Sequence, residues 1–146
     1  SIVADANGHV TMPAQSAFLA TITGESRTGQ DSINDSKYAT EIFDNNADYN
    51  NSNYTFTAPV TGKYQFNVTM GVAGFSSDDE ILIRLDTSNR DMDSRIKAGA
   101  NVEELTLSML VDMDASDTAK VRFLSYNDAS VEFLSDRSQF SGYLVA

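Results

Sequence analysis

The segment DMDASD brings together three acidic side chains that are able to hold a metal ion. Asp112, Asp114 and Asp117 lie between two segments that alternate apolar and polar residues. Calcium takes roughly six to eight oxygen ligands, and these carboxylates together with backbone carbonyl oxygens would supply them. The spacing lacks the full EF-hand pattern, and Asp and Ser are also common in ordinary turns. The sequence therefore indicates no required cofactor. It is compatible with two interpretations of this loop, a calcium site and a purely structural turn.

Residues for catalysis are scarce in this chain. Its one histidine is His9 and it has no cysteine, so a nucleophilic Ser has no nearby imidazole and a zinc enzyme has too few ligands. No glycine-rich phosphate-binding motif is present. A glycosidase needs only two carboxylates, and 21 acidic residues keep that alternative open. We predict a protein that is not an enzyme.

Length and charge narrow the class of protein. The 146 residues suffice for one domain that buries roughly two-thirds of its unfolded surface. The formal net charge of -11 argues against nucleic acid and against anionic membranes as partners, because both need clustered Lys and Arg on the protein. No apolar run reaches the roughly 20 residues that cross a bilayer. We therefore expect neither nucleic acid nor a membrane as a partner.

Alternating apolar residues predict short β-strands along most of the chain. Residues 24–54 are rich in Asn, Asp and Ser and predict mostly loop with one or two short strands. Residues 103–113, whose first residues also suit a helix, keep a period of two and are predicted as strand. About eight to ten strands with polar turns predict an all-β sandwich or barrel, most simply a jelly roll. The other predicted strands are residues 17–23, 54–56, 63–73, 80–86, 94–99, 119–126, 131–133 and 140–145.

Residues 56–66, FTAPVTGKYQF, predict a strand, a corner and a second strand. Pro59 cannot donate a ladder hydrogen bond, so the first strand stops there or lies on a sheet edge. Gly62 lets the backbone turn at low cost. Tyr64, Phe66 and the next two alternate residues then share one face. The segment therefore leads into a long strand.

The same segment is part of a spaced set of residues that resembles the core signature of the C1q-like domain. This domain is the globular head of complement C1q and short-chain collagens, and it is related in fold to tumour necrosis factor. Tyr38 stands where Phe is usual and Val68 where an aromatic residue is usual. The closing segment SQFSGYLVA and residues 107–123 also resemble their counterparts in the family, so the resemblance spans residues 17–146. The signature residues are Tyr38, Asp44, Tyr49, Phe56, Gly62, Tyr64 and Phe66.

The resemblance implies a ten-strand jelly-roll β-sandwich of the C1q and tumour necrosis factor type that forms a parallel homotrimer. Tyr64, Phe66, Phe140 and Tyr143 are predicted to lie in the trimer interface or in the monomer core. The sequence does not decide between these two places for any one of the four.

Residues 1–16 are predicted as a leader before the domain of residues 17–146. Their Asp-Ala-Asn-Gly-His-Val-Thr segment resembles the glycine turns and short strands that precede head domains in phage tail fibres. The leader shows no collagen Gly-X-Y repeat, and the chain is acidic and free of cysteine. These features favour a viral or bacterial member, located in a virion or outside the cell.

We therefore predict a non-enzymatic trimeric head that serves trimerisation and the recognition of a surface glycan or protein. It would form the tip of a phage fibre or of another virion or extracellular structural protein. Binding would use loops at the end away from the leader, or grooves between protomers. A secreted signalling ligand of the tumour necrosis factor type, a carbohydrate-active enzyme and a purely structural trimer lock are the alternatives. The candidate ligand contacts are Arg90, Asp91, Tyr126, Asn127 and Asp128.

Overall fold

The computed structural model describes residues 2–23, 33–74, 76, 78–97, 99, 101–126 and 131–146, and the backbone of residues 26–28 and 130. The regular structure of this part of the chain is entirely β-strand. No helix that is long and apolar enough to cross a membrane occurs in it. The strands are β1 (Val3–Ala4), β2 (Val10–Thr11), β3 (Ala17–Thr21), β4 (Ser26–Thr28), β5 (Asn34–Asp35), β6 (Thr40–Asp44), β7 (Tyr49–Asn50), β8 (Thr55–Thr57), β9 (Gly62–Ala73), β10 (Glu80–Thr87), β11 (Asp91–Lys97), β12 (Val102–Met113), β13 (Thr118–Ser125) and β14 (Ser130–Leu144).

Two antiparallel sheets enclose one hydrophobic core. Sheet 1 has the order β11-β10-β13-β8-β7, with β5 also paired to β13. Sheet 2 has the order β12-β9-β14-β3-β6, with β4 also paired to β14. The leader strands β1 and β2 form a separate hairpin. The prediction of an all-β sandwich is confirmed.

Three segments differ from the sequence prediction. The described part of the stretch 24–54 contains four short strands instead of one or two, because strands of two to five residues are too short to show an alternation of apolar residues in the sequence. The strand predicted from Tyr54 begins at Thr55, since Tyr54 occupies a turn with φ of 60°. The weak strand predicted for 94–99 is the longer β11, whose exposed edge position hides its periodicity.

A bulge of four residues interrupts the closing strand β14, which the sequence predicts as two separate strands. Leu134 pairs with Gly71 and Gln139 with Thr69, so residues 135–138 stand opposite a single residue of β9. The buried Ser138 hydroxyl accepts the Gly71 N–H at 3.0 Å and donates to the Leu134 carbonyl at 2.8 Å. These two bonds satisfy backbone groups that the broken ladder would leave unpaired.

Aromatic residues of both sheets form one cluster in the core. Phe18 stacks on Tyr49 with ring centroids 4.6 Å apart and meets Phe140 edge-on at 4.9 Å. The buried Tyr38 hydroxyl donates to the Thr69 carbonyl at 2.8 Å, and that of Tyr49 to the Tyr38 carbonyl at 2.7 Å. Burial raises the pKa of both phenols, so they remain neutral donors. The cluster members are Phe18, Tyr38, Tyr49, Phe56, Tyr64, Phe66 and Phe140.

The remaining signature residues shape the backbone around this cluster. The Asp44 carboxylate accepts the N–H of Tyr49 at 2.8 Å and so closes the loop between β6 and β7. A Cβ at Gly142 would lie 2.6 Å from the Phe66 ring, and one at Gly62 would lie 2.7 Å from the Ala146 carbonyl oxygen. Glycine is required at both positions because neighbouring groups occupy the space of a side chain.

Candidate functional site

The outer face of sheet 2 carries no charged side chain over three successive rows of residues. It is formed by β3, β14, β9 and β12, whose alternate side chains point away from the core. Such a run of twelve uncharged outward positions is unusual in a chain with 21 acidic and 10 basic residues. We call this surface the sheet 2 face. Its rows are Ala17, Tyr143, Gln65, Leu110; Leu19, Ser141, Asn67, Ser108; and Thr21, Gln139, Thr69, Thr106.

Large apolar side chains stand exposed on this face and at its edge. Tyr143 on β14 is 45% exposed and Leu110 on β12 is 55% exposed. On the edge strand β6, Phe43 lies opposite Leu19 and is 45% exposed, beside Ile42 at 57%. Grouped apolar side chains in contact with water mark a surface that another molecule covers.

The polar side chains at the centre of the face bond to one another. The Gln65 side-chain amide donates to the Ser108 hydroxyl at 2.9 Å, and that hydroxyl donates to the Asn67 amide oxygen at 2.9 Å. Because these groups already have partners, removing water from them costs less than removing it from unpaired groups. The centre of the face is therefore suited to burial.

The outer face of sheet 1 has the opposite character. Arg84 pairs with Asp93 at 2.7 Å and with Asp91 at 3.2 Å, and Arg122 pairs with Asp35 at 3.3 Å. The hydrogen bond from Arg84 holds the pKa of Asp93 below its usual range. Burying this face would take all these charges out of water, which is costly even for paired ions. Of the two outer faces, that of sheet 2 is therefore the less costly to remove from water.

Charged side chains return only at the two ends of the sheet 2 face. Lys63 and Asp112 are neighbours at the end near the leader. At the other end Arg137, on the bulge of β14, reaches across β9 to Glu104 on β12 at 3.1 Å. It passes over Gly71, where a Cβ would lie only 2.5 Å from the Arg137 Cβ. Charged side chains thus border the uncharged rows at both ends.

The structure distributes the four predicted core or interface residues between two places. Tyr64, Phe66 and Phe140 are fully buried in the aromatic cluster. Tyr143 lies on the sheet 2 face, three residues from Phe140 and on the opposite side of the sheet.

The predicted calcium residues lie at the turn between β12 and β13, at the leader end of the sandwich. The Asp117 carboxylate accepts the Asp114 N–H at 2.8 Å and a side-chain N–H of Asn89 at 3.2 Å, while Asp112 pairs with Arg90 at 2.6 Å. In the part of the chain that the structure describes, no three His, Cys, Asp or Glu side chains group to hold a metal ion. The three carboxylates do not converge as arranged, and calcium binding here stays a prediction.

The same turn borders a cavity of about 350 Å³. Asp112 and Asp114 line it together with Thr61, Lys63 and Asn89. The cavity opens at the leader end, beside the last residue of the chain, Ala146. It has hydrogen-bonding groups but no aromatic lining residue on which a sugar ring would stack.

The predicted ligand contacts lie at opposite ends of the sandwich. Arg90 and Asp91 are at the leader end, where Arg90 pairs with Asp112. Tyr126 is at the far end, where the Arg95 guanidinium lies 4.2 Å above its ring and also pairs with Glu80. Strand β10 separates the two groups by about 23 Å, at about 3.3 Å per residue, so they do not form one site. Asn127 and Asp128 lie outside the described residues.

Sequence reasoning missed most of the sheet 2 face. Leu110, Gln65, Asn67 and Ser108 are not among the predicted site residues, because they occupy the positions between the buried apolar residues of their strands. The signal was present in the other half of each alternation. In the central parts of the segments that become β3, β9, β12 and β14, the positions between the buried residues lack charge, and the charged residues Lys63, Glu104 and Asp112 stand at the ends of these segments.

A family model of the C1q domain matches residues 17–145. Among solved structures, the globular domain of zebrafish complement 1qA is 16% identical, with a TM-score of 0.67 over 90% of this chain and 98% of that one. Murine APRIL is 7% identical, with a TM-score of 0.64 over 90% and 99% of the two chains. Eiger TNF from S. frugiperda is 7% identical, with a TM-score of 0.59 over 90% and 92%. A sequence comparison with curated proteins gave no match. These likenesses show a jelly roll of the C1q and tumour necrosis factor type.

Proposed function

We propose that this chain, which belongs to the C1q domain family, forms a parallel homotrimer that binds a ligand outside the cell and catalyses no reaction. The observation that carries the proposal is the uncharged sheet 2 face with exposed Tyr143 and Leu110. Domains of the C1q and tumour necrosis factor families are extracellular binding domains that form homotrimers, and this face supplies a surface for the same assembly here.

Electrostatics supports the choice of the sheet 2 face as the trimer contact. Each chain carries a net charge of -11, so copies repel one another at most orientations. The repulsion is least where uncharged rows face the partner. A closed ring of three copies joins one surface of a protomer to a different surface of the next. The apolar side chains at the edges of the sandwich, Ile42 and Phe43 on β6 and Met92 on β11, offer counterparts for the face.

The end of the sandwich away from the leader is the proposed ligand-binding end. Tyr126 there offers an aromatic surface, and Arg95 and Glu80 offer charged groups beside it. Aromatic and charged side chains together are typical of surfaces that bind glycans or protein loops. Asn127 and Asp128 follow Tyr126 in the sequence and belong to the same proposal. Three copies of a weak site would bind a multivalent surface strongly through avidity.

Two biological settings fit this trimer. In the first, it is the head of a phage fibre or of another virion or extracellular structural protein, with a host-surface glycan or protein as ligand. In the second, it is a secreted signalling ligand of the tumour necrosis factor type, which the structural likeness to APRIL and Eiger TNF favours. A glycan panel and a pull-down of cell-surface proteins, run in parallel with the same trimer, distinguish the two.

Light scattering in solution tests the trimer. Three chains of 15.9 kDa give about 48 kDa, and we expect this mass in calcium and in EDTA alike. A trimer that forms only in calcium would bring Asp112, Asp114 and Asp117 forward as an assembly site. A monomer in both conditions would overturn the proposal.

Variants at the two ends of the sandwich test the ligand-binding end. We expect Tyr126→Ala to weaken binding to glycan or receptor at least about tenfold, because aromatic anchors dominate binding surfaces. Arg90→Ala, at the leader end, is the matched control and should bind as the wild type does. Equal binding by both variants would remove the far end from the proposal while leaving the trimer intact.

A further inference from the structure

We infer that the leader hairpin of residues 2–15 is a second contact between protomers, packed against the leader of a neighbouring copy below the sandwich. This inference rests on the proposed trimer, but it concerns residues that precede the domain matched by the C1q family model. The hairpin has a hydrogen-bonded turn, and its large apolar side chains are about half or more exposed.

The leader turn is held by its own side chains. Asp5 accepts the N–H groups of Asn7 at 2.8 Å and His9 at 2.9 Å, and its second oxygen pairs with the His9 ring at 2.8 Å. Gly8 takes the φ of +84° that the turn requires. The chain therefore forms a defined hairpin of β1 and β2 instead of a loose tail.

The hairpin alone buries almost nothing. Its strands are two residues each, and isolated two-stranded hairpins are marginally stable in water. Four of its side chains are large, apolar and exposed: Ile2 at 72%, Val3 at 47%, Val10 at 65% and Met12 at 50%. A hairpin that has a hydrogen-bonded turn and exposed apolar side chains is typical of elements that become stable on association with another chain.

The base of the sandwich fixes the position of the leader. The Asn46 side-chain amide donates to the Ala14 carbonyl at 3.0 Å, and that of Gln15 donates to the Leu144 carbonyl at 2.5 Å. The Leu144 N–H in turn donates to the Ser16 carbonyl at 3.0 Å. These bonds anchor the end of the leader directly beside the last residues of β14.

An apolar groove of about 390 Å³ opens between the leader and the last residues of the chain. Ile2, Met12, Ala14, Leu144 and Val145 line it. The groove provides the space that an apolar side chain of another leader would fill.

The groove continues the sheet 2 face, and this continuity identifies its occupant. Ala17 and Tyr143 form the row of the face nearest the leader, and the groove begins one residue after Tyr143. Residues 1–16 contain one acidic residue, Asp5, and no Lys or Arg, so they share the low charge of the face. A second copy seated on the face therefore brings its own leader to the same end, and the occupant is that leader.

Single cysteines test the contact, since the chain has no cysteine of its own. We expect at least one of Ile2→Cys, Val10→Cys and Met12→Cys to give a disulfide-linked dimer on mild oxidation at micromolar protein. Disulfides form only when Cα atoms approach within about 7 Å. Thr57→Cys, exposed on sheet 1, is the control and should remain unlinked. No linkage at any of the three leader positions in a trimeric protein would overturn the inference.

A second measurement addresses the energy of the contact. Ile2→Ser/Val10→Ser/Met12→Ser should raise the concentration at which the trimer half-dissociates at least about tenfold, because apolar surface buried between copies is lost. Val60→Ser, at an exposed apolar residue of the corner before β9, should leave it unchanged. If the wild type is a monomer, the proposed trimer itself fails. If the wild type is a trimer and the triple variant dissociates at the same concentration as the wild type, only the inferred leader contact is refuted.

Discussion

Replacing Tyr143 and Leu110 with serine should dissociate the trimer without unfolding the protomer. Both side chains are exposed on the sheet 2 face, so the monomer loses little when they are shortened. In the proposed trimer both side chains are covered, so the double substitution removes buried apolar surface in each of the three protomers. The double variant therefore separates assembly from folding.

The magnitude follows from the exposed fractions. A buried aromatic side chain removes about 200 Å² from water, so the 45% exposure of Tyr143 is about 90 Å², or about 2 kcal/mol at about 25 cal/mol per Å². Full burial of a Leu stabilises by about 2 kcal/mol, so the 55% exposure of Leu110 contributes about 1 kcal/mol. The sum is about 3 kcal/mol per protomer and about 9 kcal/mol per trimer, an upper value for complete burial. At about 1.4 kcal/mol per decade this is about six decades in the association constant.

The assay is molar mass against concentration, by light scattering or sedimentation. The midpoint concentration of a trimer varies as the inverse square root of its association constant, so a loss of about six decades in that constant should raise the midpoint about a thousandfold. Val60→Ser, which removes an exposed apolar side chain elsewhere, is the control. A double variant that keeps the wild-type midpoint, with an unchanged circular dichroism spectrum, would refute the assignment of the sheet 2 face as the contact.

Three further predictions concern the fold. Phe140→Ala, which empties the centre of the aromatic cluster, should lower the free energy of unfolding by about 3–5 kcal/mol in denaturant titration, and a loss below about 1 kcal/mol would contradict that packing. Gly71→Ala places a Cβ 2.5 Å from that of Arg137 and should lower the same free energy by about 1–3 kcal/mol. The double variant Gly71→Ala/Arg137→Gly should recover part of this loss. A single variant as stable as the wild type would show that the backbone of the bulge moves to make room for the new Cβ. The pKa of Asp93 is lowered by Arg84, so its stabilisation is present above the unfolded pKa of about 3.9 and lost as pH falls through the lower folded value. Wild type and Asp93→Asn should therefore differ in unfolding free energy at pH 6 and converge toward pH 2, and a constant difference would contradict the pair.

The sequence predicts the sandwich well because its long strands alternate strongly. In β9 and β12 every second residue is buried, and each pattern appears directly in the chain. The alternation also places Phe140 and Tyr143, three residues apart, on opposite sides of β14. Alternation alone does not state which side faces the core, since both sides carry an aromatic residue. That choice depends on the facing sheet, where Tyr49 on β7 meets the Phe140 ring edge-on.

Features that depend on distant pairing were beyond sequence reasoning. The bulge in β14 changes the buried positions from odd numbers, Val131 and Phe133, to an even number, Phe140. The sequence contains this change from odd to even buried positions, but a loop between two separate strands explains it equally well. Arg90 lies in a predicted loop and Tyr126 at the end of the predicted strand 119–126, and only the pairing of β10 with β13 shows that the two are at opposite ends of the sandwich. Loop residues identify candidates for binding, whereas the sheet topology decides which of them share a site.

The partition of charge between the two outer faces predicts opposite responses to salt. On sheet 1, ions such as Arg84 and Asp93 attract each other within one protomer, and added salt weakens exposed pairs of this kind. Between protomers the dominant long-range force is repulsion among chains of net charge -11, and salt screens it over about 10 Å at 0.1 M. A trimer joined through the uncharged sheet 2 face should therefore tighten as salt rises from 20 to 300 mM, while a trimer joined through ion pairs would loosen. The sign of the change in midpoint concentration thus identifies which face the protomers share, even before any residue is substituted.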